Sequence, residues 1–177
     1  MSFRLGTNAR NCIFVVERET DGREPSVRCI NFGLDGMQSF SFTLEEERSA
    51  VLVPAGQVGT YLYEPNASVL KAGAFKQIAV RTGVKKLQVN SHLYTSDHLV
   101  SDFPGRRFRV DEVLSFTGKL CKGLSKTIPQ ANITVRNFPL SVEELRKRTK
   151  ITDGGHVYLF ATTLVDGEKV LVKCSKA

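Results

Sequence analysis

The sequence predicts an α+β protein: N-terminal β-strands, then a small α/β unit, then a two-layer β-α-β-α-β-β domain. Three observations predict it. Continuous and period-two apolar runs, separated by Asp-Gly pairs, fill the first third. One helical stripe follows in the middle. From residue 104 onward, strand and helix patterns alternate and close on a hairpin signal. The units divide as 1–58, 59–103 and 104–177.

In the first unit, Asn11–Arg18 holds the run Cys12, Ile13, Phe14, Val15, Val16, which marks a strand buried on both faces. Ser26–Gly33 reads as a second strand. The two form a hairpin with a longer connection through Asp21-Gly22, and Asp35-Gly36 marks a further turn. Phe40 and Phe42 alternate with Ser39, Ser41 and Thr43, the period of a strand with one buried face. Glu45, Glu46 and Glu47 fit a solvated loop or helix start. In the middle unit, Asn66 follows Pro65 and is placed to cap a helix running to about Arg81. Val69, Leu70, Ala74, Phe75 and Ile78 supply its buried stripe, and Gly83 stops it. A short strand around Lys86–Val89 follows, and Asp102-Phe103-Pro104-Gly105 is a turn and unit boundary.

In the last unit, Arg106–Phe116 alternates as a strand. Thr117–Ile128 is helical and stopped by Pro129, although Gly118 and Gly123 lower its propensity. Ala131–Arg136 is a strand. Ser141 and Glu144 form the capping box Ser-x-x-Glu, which opens a helix to about Lys150. Asp153-Gly154-Gly155 breaks the chain. His156–Thr163 and Glu168–Ser175 are strands joined through Asp166-Gly167. Phe108, Phe116, Phe138, Tyr158 and Phe160 belong to the core of this unit.

Composition narrows the function classes. With 41% hydrophobic and 24% charged residues, the chain is neither disordered nor collagen-like. No window approaches ~18 uncharged apolar residues, the length a membrane-spanning helix needs. Met-Ser-Phe-Arg-Leu-Gly has no apolar signal-peptide core, so a cytoplasmic location is expected. Cys12, Cys29, Cys121 and Cys174 form no Cys-x-x-Cys pair, which removes support for a zinc knuckle. Buried free thiols are expected instead. His92, His98 and His156 lack the His-Glu-x-x-His spacing, and there is no Gly-x-Gly-x-x-Gly or P-loop. The expectation is that this chain alone carries no catalytic, metal-binding or cofactor-binding residue and is not an enzyme.

Charge is the stronger signal. The net charge is +7, but residues 1–60 carry net −2, residues 61–103 net +2 and residues 104–177 net +7. Lys119, Lys122 and Lys126 fall within roughly 60° of one another on a helix, beside the Leu120, Leu124, Ile128 stripe. Arg146, Lys147 and Lys150 share a side of the next helix away from Val142 and Leu145. Arg107 and Arg109 share one strand face, and Arg136 ends the following strand. Cations presented by several elements above an apolar packing face suit contact with a phosphate backbone. A merely solvated helix face is the alternative reading of the same charge.

Several segments also resemble a known family. Gly59-Thr-Tyr-Leu-Tyr-Glu-Pro-Asn-Ala-Ser-Val-Leu-Lys-Ala-Gly-Ala-Phe75 is similar to a signature in a bacterial family of class I S-adenosylmethionine-dependent methyltransferases. Asn90-Ser-His-Leu-Tyr-Thr-Ser96 and Phe103-Pro-Gly-Arg-Arg-Phe-Arg-Val110 continue the likeness. Asn132-Ile-Thr-Val-Arg-Asn-Phe-Pro-Leu-Ser-Val-Glu-Glu-Leu-Arg146 and Asp153-Gly-Gly-His-Val-Tyr-Leu-Phe-Ala-Thr-Thr163 resemble its C-terminal THUMP-like domain, in the form found in Bacteroides-type bacteria. The likeness covers residues 59–177, and residues 1–58 are similar to the tail of the preceding methyltransferase region. It implies a β-rich tail at 1–58, a ferredoxin-like unit at 59–103 and a THUMP-like domain at 104–177. Such domains are associated with RNA binding in RNA-modifying enzymes, which points to tRNA or ribosomal RNA.

The chain departs from the family in one respect. The acidic, glycine-rich cofactor loop of the Rossmann-like core has no counterpart here, so the chain is a fragment or a separately encoded remnant. S-adenosylmethionine is expected in the missing upstream domain, and no catalytic or cofactor position carries over. The expected function is a non-catalytic C-terminal portion of an RNA methyltransferase. Its expected RNA contacts are Arg106, Arg107, Arg109, Lys119, Lys122, Lys126, Arg136, Arg146, Lys147 and Lys150, and its partners are RNA and the upstream methyltransferase domain, with no membrane. The alternative is a protein-interaction or scaffolding module that packs on the methyltransferase core without touching RNA.

Overall fold

A computed structural model describes residues 22, 24–33 and 36–177. The expected strand Asn11–Arg18, Cys12 and the residues Asp21 and Asp35 lie outside that range. Strands β1 (Ser26–Gly33) and β2 (Gly36–Thr43) pair antiparallel along their full length, with Cys29 opposite Phe40 and Val27 opposite Phe42. The alternation works as expected: Phe40 and Phe42 are buried, while Ser39 and Ser41 face solvent.

Helix α1 (Leu44–Ser49) starts at Thr43, in a capping box that pairs the Thr43 hydroxyl with the Glu46 amide and the Glu46 carboxylate with the Thr43 amide. The acidic run is thus a helix start, as expected. It also reaches across the unit. Glu46 pairs with Arg81 at 2.8 Å, and the Glu47 carboxylate accepts the Lys76 and Gln77 amides at 2.9 and 2.8 Å.

Strand β3 (Tyr61–Pro65) leads to helix α2 (Ala67–Ala72) and helix α3 (Gln77–Thr82). The single helix expected from Asn66 to Arg81 is in fact two. Gly73 takes a left-handed conformation, φ 77°, and ends the first helix. Because Val69, Ala74 and Ile78 stay buried across the break, apolar spacing alone does not reveal it. Asn66 occupies the N-cap position, but its side-chain amide donates to Gln38 on β2 rather than capping. Gly83, φ 71°, stops α3 as expected. Strand β4 is Lys85–Lys86, shorter than Lys86–Val89 and ending where Lys86 turns inward, and β5 is Tyr94–Ser96.

Strand β6 (Gly105–Ser115), helix α4 (Gly118–Thr127), strand β7 (Asn132–Arg136), helix α5 (Val142–Thr149) and strands β8 (Tyr158–Thr163) and β9 (Lys169–Lys176) complete the chain. This is the β-α-β-α-β-β order read from the sequence. The Ser141–Glu144 capping box forms, and Asp166-Gly167 closes the last hairpin, with the Leu164 amide donating to the Glu168 carbonyl.

All strands from β3 onward form one seven-stranded sheet in the order β4-β5-β3-β6-β9-β8-β7. Its pairs are antiparallel except β7 with β8. The middle and last units are joined through β3 and β6, which pair from Tyr61 with Arg109 to Pro65 with Gly105.

Period two along these strands sorts three cores. Leu159, Ala161 and Leu171 pack under α4 and α5 with Leu124, Ile128 and Leu145. Phe160, Val170, Val172 and Phe108 face the other way, against Leu62, Leu87 and Leu93. Tyr63, Tyr94 and Phe103 pack with the β1–β2 hairpin and with Val69, Ala74 and Ile78. Phe116, Phe138 and Tyr158 are partly buried against these cores, so the aromatics serve packing.

Candidate nucleic-acid interface

Helix α4 owes its position to one buried edge. The Thr117 hydroxyl accepts the Leu120 amide and opens the helix. Leu124 and Ile128 then bury against the sheet, and Cys121 is buried as well. That orientation leaves Lys119, Lys122 and Lys126 exposed in a row, on a helix with no acidic residue. Helix α5 packs beside α4, anchored by Leu145 and Thr149. It exposes Lys147, Arg148 and Lys150, with Lys150 in the left-handed C-cap conformation. Among the described residues none of these six cations is in an ion pair. Arg148, exposed on the same helix, is an addition to the expected contacts. Burial pushes the Cys121 thiol up, and the Arg148 charge partly offsets that rise.

The arginines divide differently. Arg109 is exposed on the face of β6 opposite Phe108. Arg107, on the same face, donates to the Ser101 carbonyl. Arg146 is a structural tie: it bonds the Ala131 and Ile151 carbonyls at 3.2 Å and the Asp153 carboxylate. Arg106 and Arg136 lie on the opposite sheet face and meet at one carboxylate. Glu64, on β3, is buried, with 6% of its side chain exposed. One of its oxygens accepts Arg106 Nε at 2.8 Å and Arg106 Nη2, and the other accepts Arg136 Nη2 at 2.7 Å. Sequence reading missed Glu64, whose only signal was an acid inside the apolar run Tyr61–Pro65. The ten expected contacts therefore fall into an exposed helical group, Arg109 on the sheet, two structural ties, and a carboxylate-held pair.

The neighbourhood of that pair is polar and cationic. Lys86 is buried, donates to the Val89 carbonyl at 2.7 Å and lies 4.9 Å from the centre of the Phe75 ring. Burial holds its ammonium below the usual lysine range. His92 stacks on the same Phe75 ring at 4.1 Å with φ 51°. Burial, then the Lys86 and Arg136 charges, holds its imidazole below the usual histidine range. His98 and His156 are exposed.

No group of three or more His, Cys, Asp or Glu able to hold a metal occurs among the described residues. Cys29, Cys121 and Cys174 are buried free thiols, and burial pushes Cys174 up to about 12. A cleft of about 470 Å³ is lined by Gly56, Gly59, Gly83, Lys85, Asp97 and His98. The space a side chain would take at Gly59 is occupied by Asp97 Oδ1 and the Ser96 carbonyl, both 2.8 Å away, so only a glycine allows this close approach to β5. No helix among the described residues is long and apolar enough to cross a membrane.

Comparison with known proteins defines the architecture. Residues 61–104 match the family model of a ferredoxin-like domain, and residues 105–176 match that of a THUMP domain-like family. The region is thus α+β, a ferredoxin-like domain followed by a THUMP-like domain. A crystal structure of a "putative methyltransferase" from Porphyromonas gingivalis W83 is similar, with 48% identity and a TM-score of 0.82 over 86% of this chain. The present chain covers 38% of that one. No curated protein matches.

Proposed function

We propose that this chain is the non-catalytic, RNA-holding portion of a bacterial, cytoplasmic methyltransferase dependent on S-adenosylmethionine. The methyl donor is bound by a domain outside this chain. The reading is supported by the THUMP-like fold, since THUMP domains bind RNA, and by the likeness to a longer methyltransferase-named protein. The single observation that carries it is the acid-free row Lys119, Lys122, Lys126 on α4, extended by Lys147, Arg148 and Lys150. Three lysines on one exposed face track a phosphate backbone without reading bases, so affinity comes from counterion release.

The test is binding of tRNA and ribosomal RNA fragments across a salt series. Reversing Lys119, Lys122 and Lys126 to Glu is expected to cut affinity at low salt and to reduce the slope of log K against log salt by about 2 to 3. No binding by the wild-type chain at low salt refutes the reading.

A second reading is favoured by a different surface. Ile30, Phe32 and Met37 are 39%, 62% and 57% exposed on the outer face of the β1–β2 hairpin, with Phe32 directly opposite Met37. A patch of this kind suits docking to the upstream methyltransferase domain. Tight association with that domain, combined with no affinity for RNA, would select this scaffolding role.

A further inference from the structure

Arg106 and Arg136 come from strands on either side of β9 and β8, yet both end on Glu64. The carboxylate belongs to the ferredoxin-like domain and the two guanidinium groups to the THUMP-like domain. Glu64 is almost fully buried, but the arginine side chains are 52% and 38% exposed. The clamp therefore fixes two forks whose outer edges remain open. A guanidinium carries five N–H donors. Arg106 spends its Nε and one Nη2 hydrogen on Glu64, and Arg136 spends one Nη2 hydrogen. Most donors of the pair are left over.

Two of the groups beside the pair are unsatisfied. Arg136 Nε is buried without a partner, and so is the Thr162 hydroxyl. Thr162 is the residue of β8 in register with Arg136 on β7, so both side chains leave the same sheet face. Both atoms are closed to solvent, so the donors open to a ligand are the terminal nitrogens of the two exposed guanidinium groups. Charge points the same way, because two cations share one anion.

We propose that Glu64 is a positioning residue that holds Arg106 and Arg136 as a paired guanidinium grip for an RNA phosphate at the seam between the two domains. Planar forks suit a phosphate's oxygens bidentately, which a lysine cannot reproduce. This rests on the reading that the chain binds RNA, and it adds a contact on the sheet face opposite α4.

The test measures affinity for the tRNA or ribosomal RNA fragment that the wild-type chain binds. Glu64→Gln removes a negative charge, so long-range electrostatics alone would tighten binding. The grip instead requires a loss of about tenfold, the scale of a charge-assisted contact. Arg106→Lys and Arg136→Lys keep the charge and change only half-exposed side chains, so they test the grip even if Glu64→Gln unfolds. Each is expected to weaken binding severalfold while leaving the salt slope unchanged, a combination that a purely structural arginine would not show. Unchanged or tighter binding in folded Glu64→Gln, or full affinity in both lysine variants, overturns the grip. If the Lys119, Lys122, Lys126 reversal weakens binding while these variants do not, the grip alone fails. If the wild-type chain binds no RNA, both readings fall.

Discussion

The two halves of the seven-stranded sheet place their polar groups in opposite ways. The ferredoxin-like half buries Glu64, Gln77, Lys86, Ser91 and Thr95, and its helices are two short pieces of six residues each. The THUMP-like half buries only Thr149 and Thr162 among polar residues. It builds longer helices and sends its lysines outward. The first half is held by specific bonds between distant residues, such as Glu47 with the amides that open α3 and Tyr63 with Ser96, His98 and Val100. The second half is held by hydrocarbon contact under a charged rind. Polar networks are unforgiving of displacement, whereas a packed apolar layer with exposed charge leaves its surface free to evolve contacts.

Substitutions at glycine break or sharpen that contrast. Gly105 lies where the halves join. A methyl group there would overlap the Glu64 carbonyl oxygen and sit 2.7 Å from the Phe103 ring and 2.8 Å from Pro65 Cα. Gly105→Ala is expected to destabilise the chain by about 3 kcal/mol, the upper range for overpacking, read from chemical denaturation midpoints. Gly123, in α4, has nothing within 4 Å of its added methyl. Gly123→Ala should raise stability by about 0.8 kcal/mol through helix propensity alone. Equal effects at the two sites would dissolve the contrast.

The smallest effect is at His92. Its folded-state pKa lies below the ordinary 6.5, so the unfolded chain takes up the proton first as pH falls. Its contribution to stability is present above about pH 6.5 and is lost on acidification. His92→Asn tolerates the positive φ and removes the titration, so stability should change less between pH 7 and pH 5 than in the wild type. An unchanged pH dependence counts against the burial and the cationic surroundings described for His92.

The same contrast explains what could be read without coordinates. In the THUMP-like half, capping residues, apolar stripes and the Asp166-Gly167 turn all agree, so element order and the outward lysines were legible. The sequence order of strands also hid something there, because β6 pairs back to β3 and fuses two expected units into one sheet. In the ferredoxin-like half the decisive events are non-local. The break at Gly73 interrupts an apolar stripe that continues past it, and Asn66 turns to Gln38 on a different element. Glu64 gives no local sign that two arginines, 42 and 72 residues away, will meet it. For the candidate interface, spacing found which lysines share a helix face but not which arginines are already occupied.

The ladder between β3 and β6 has a mechanical consequence. Six strand-to-strand steps of about 4.8 Å set a contour of roughly 29 Å from β4 to β7, and no flexible linker interrupts it. Two domains joined by a tether sample many separations. These two share a ruled edge, so strand β7 stands at one fixed offset from β4. Were RNA to contact both halves, reach would become a criterion of selection, because the sheet lets neither half move to meet a molecule of the wrong length or bend.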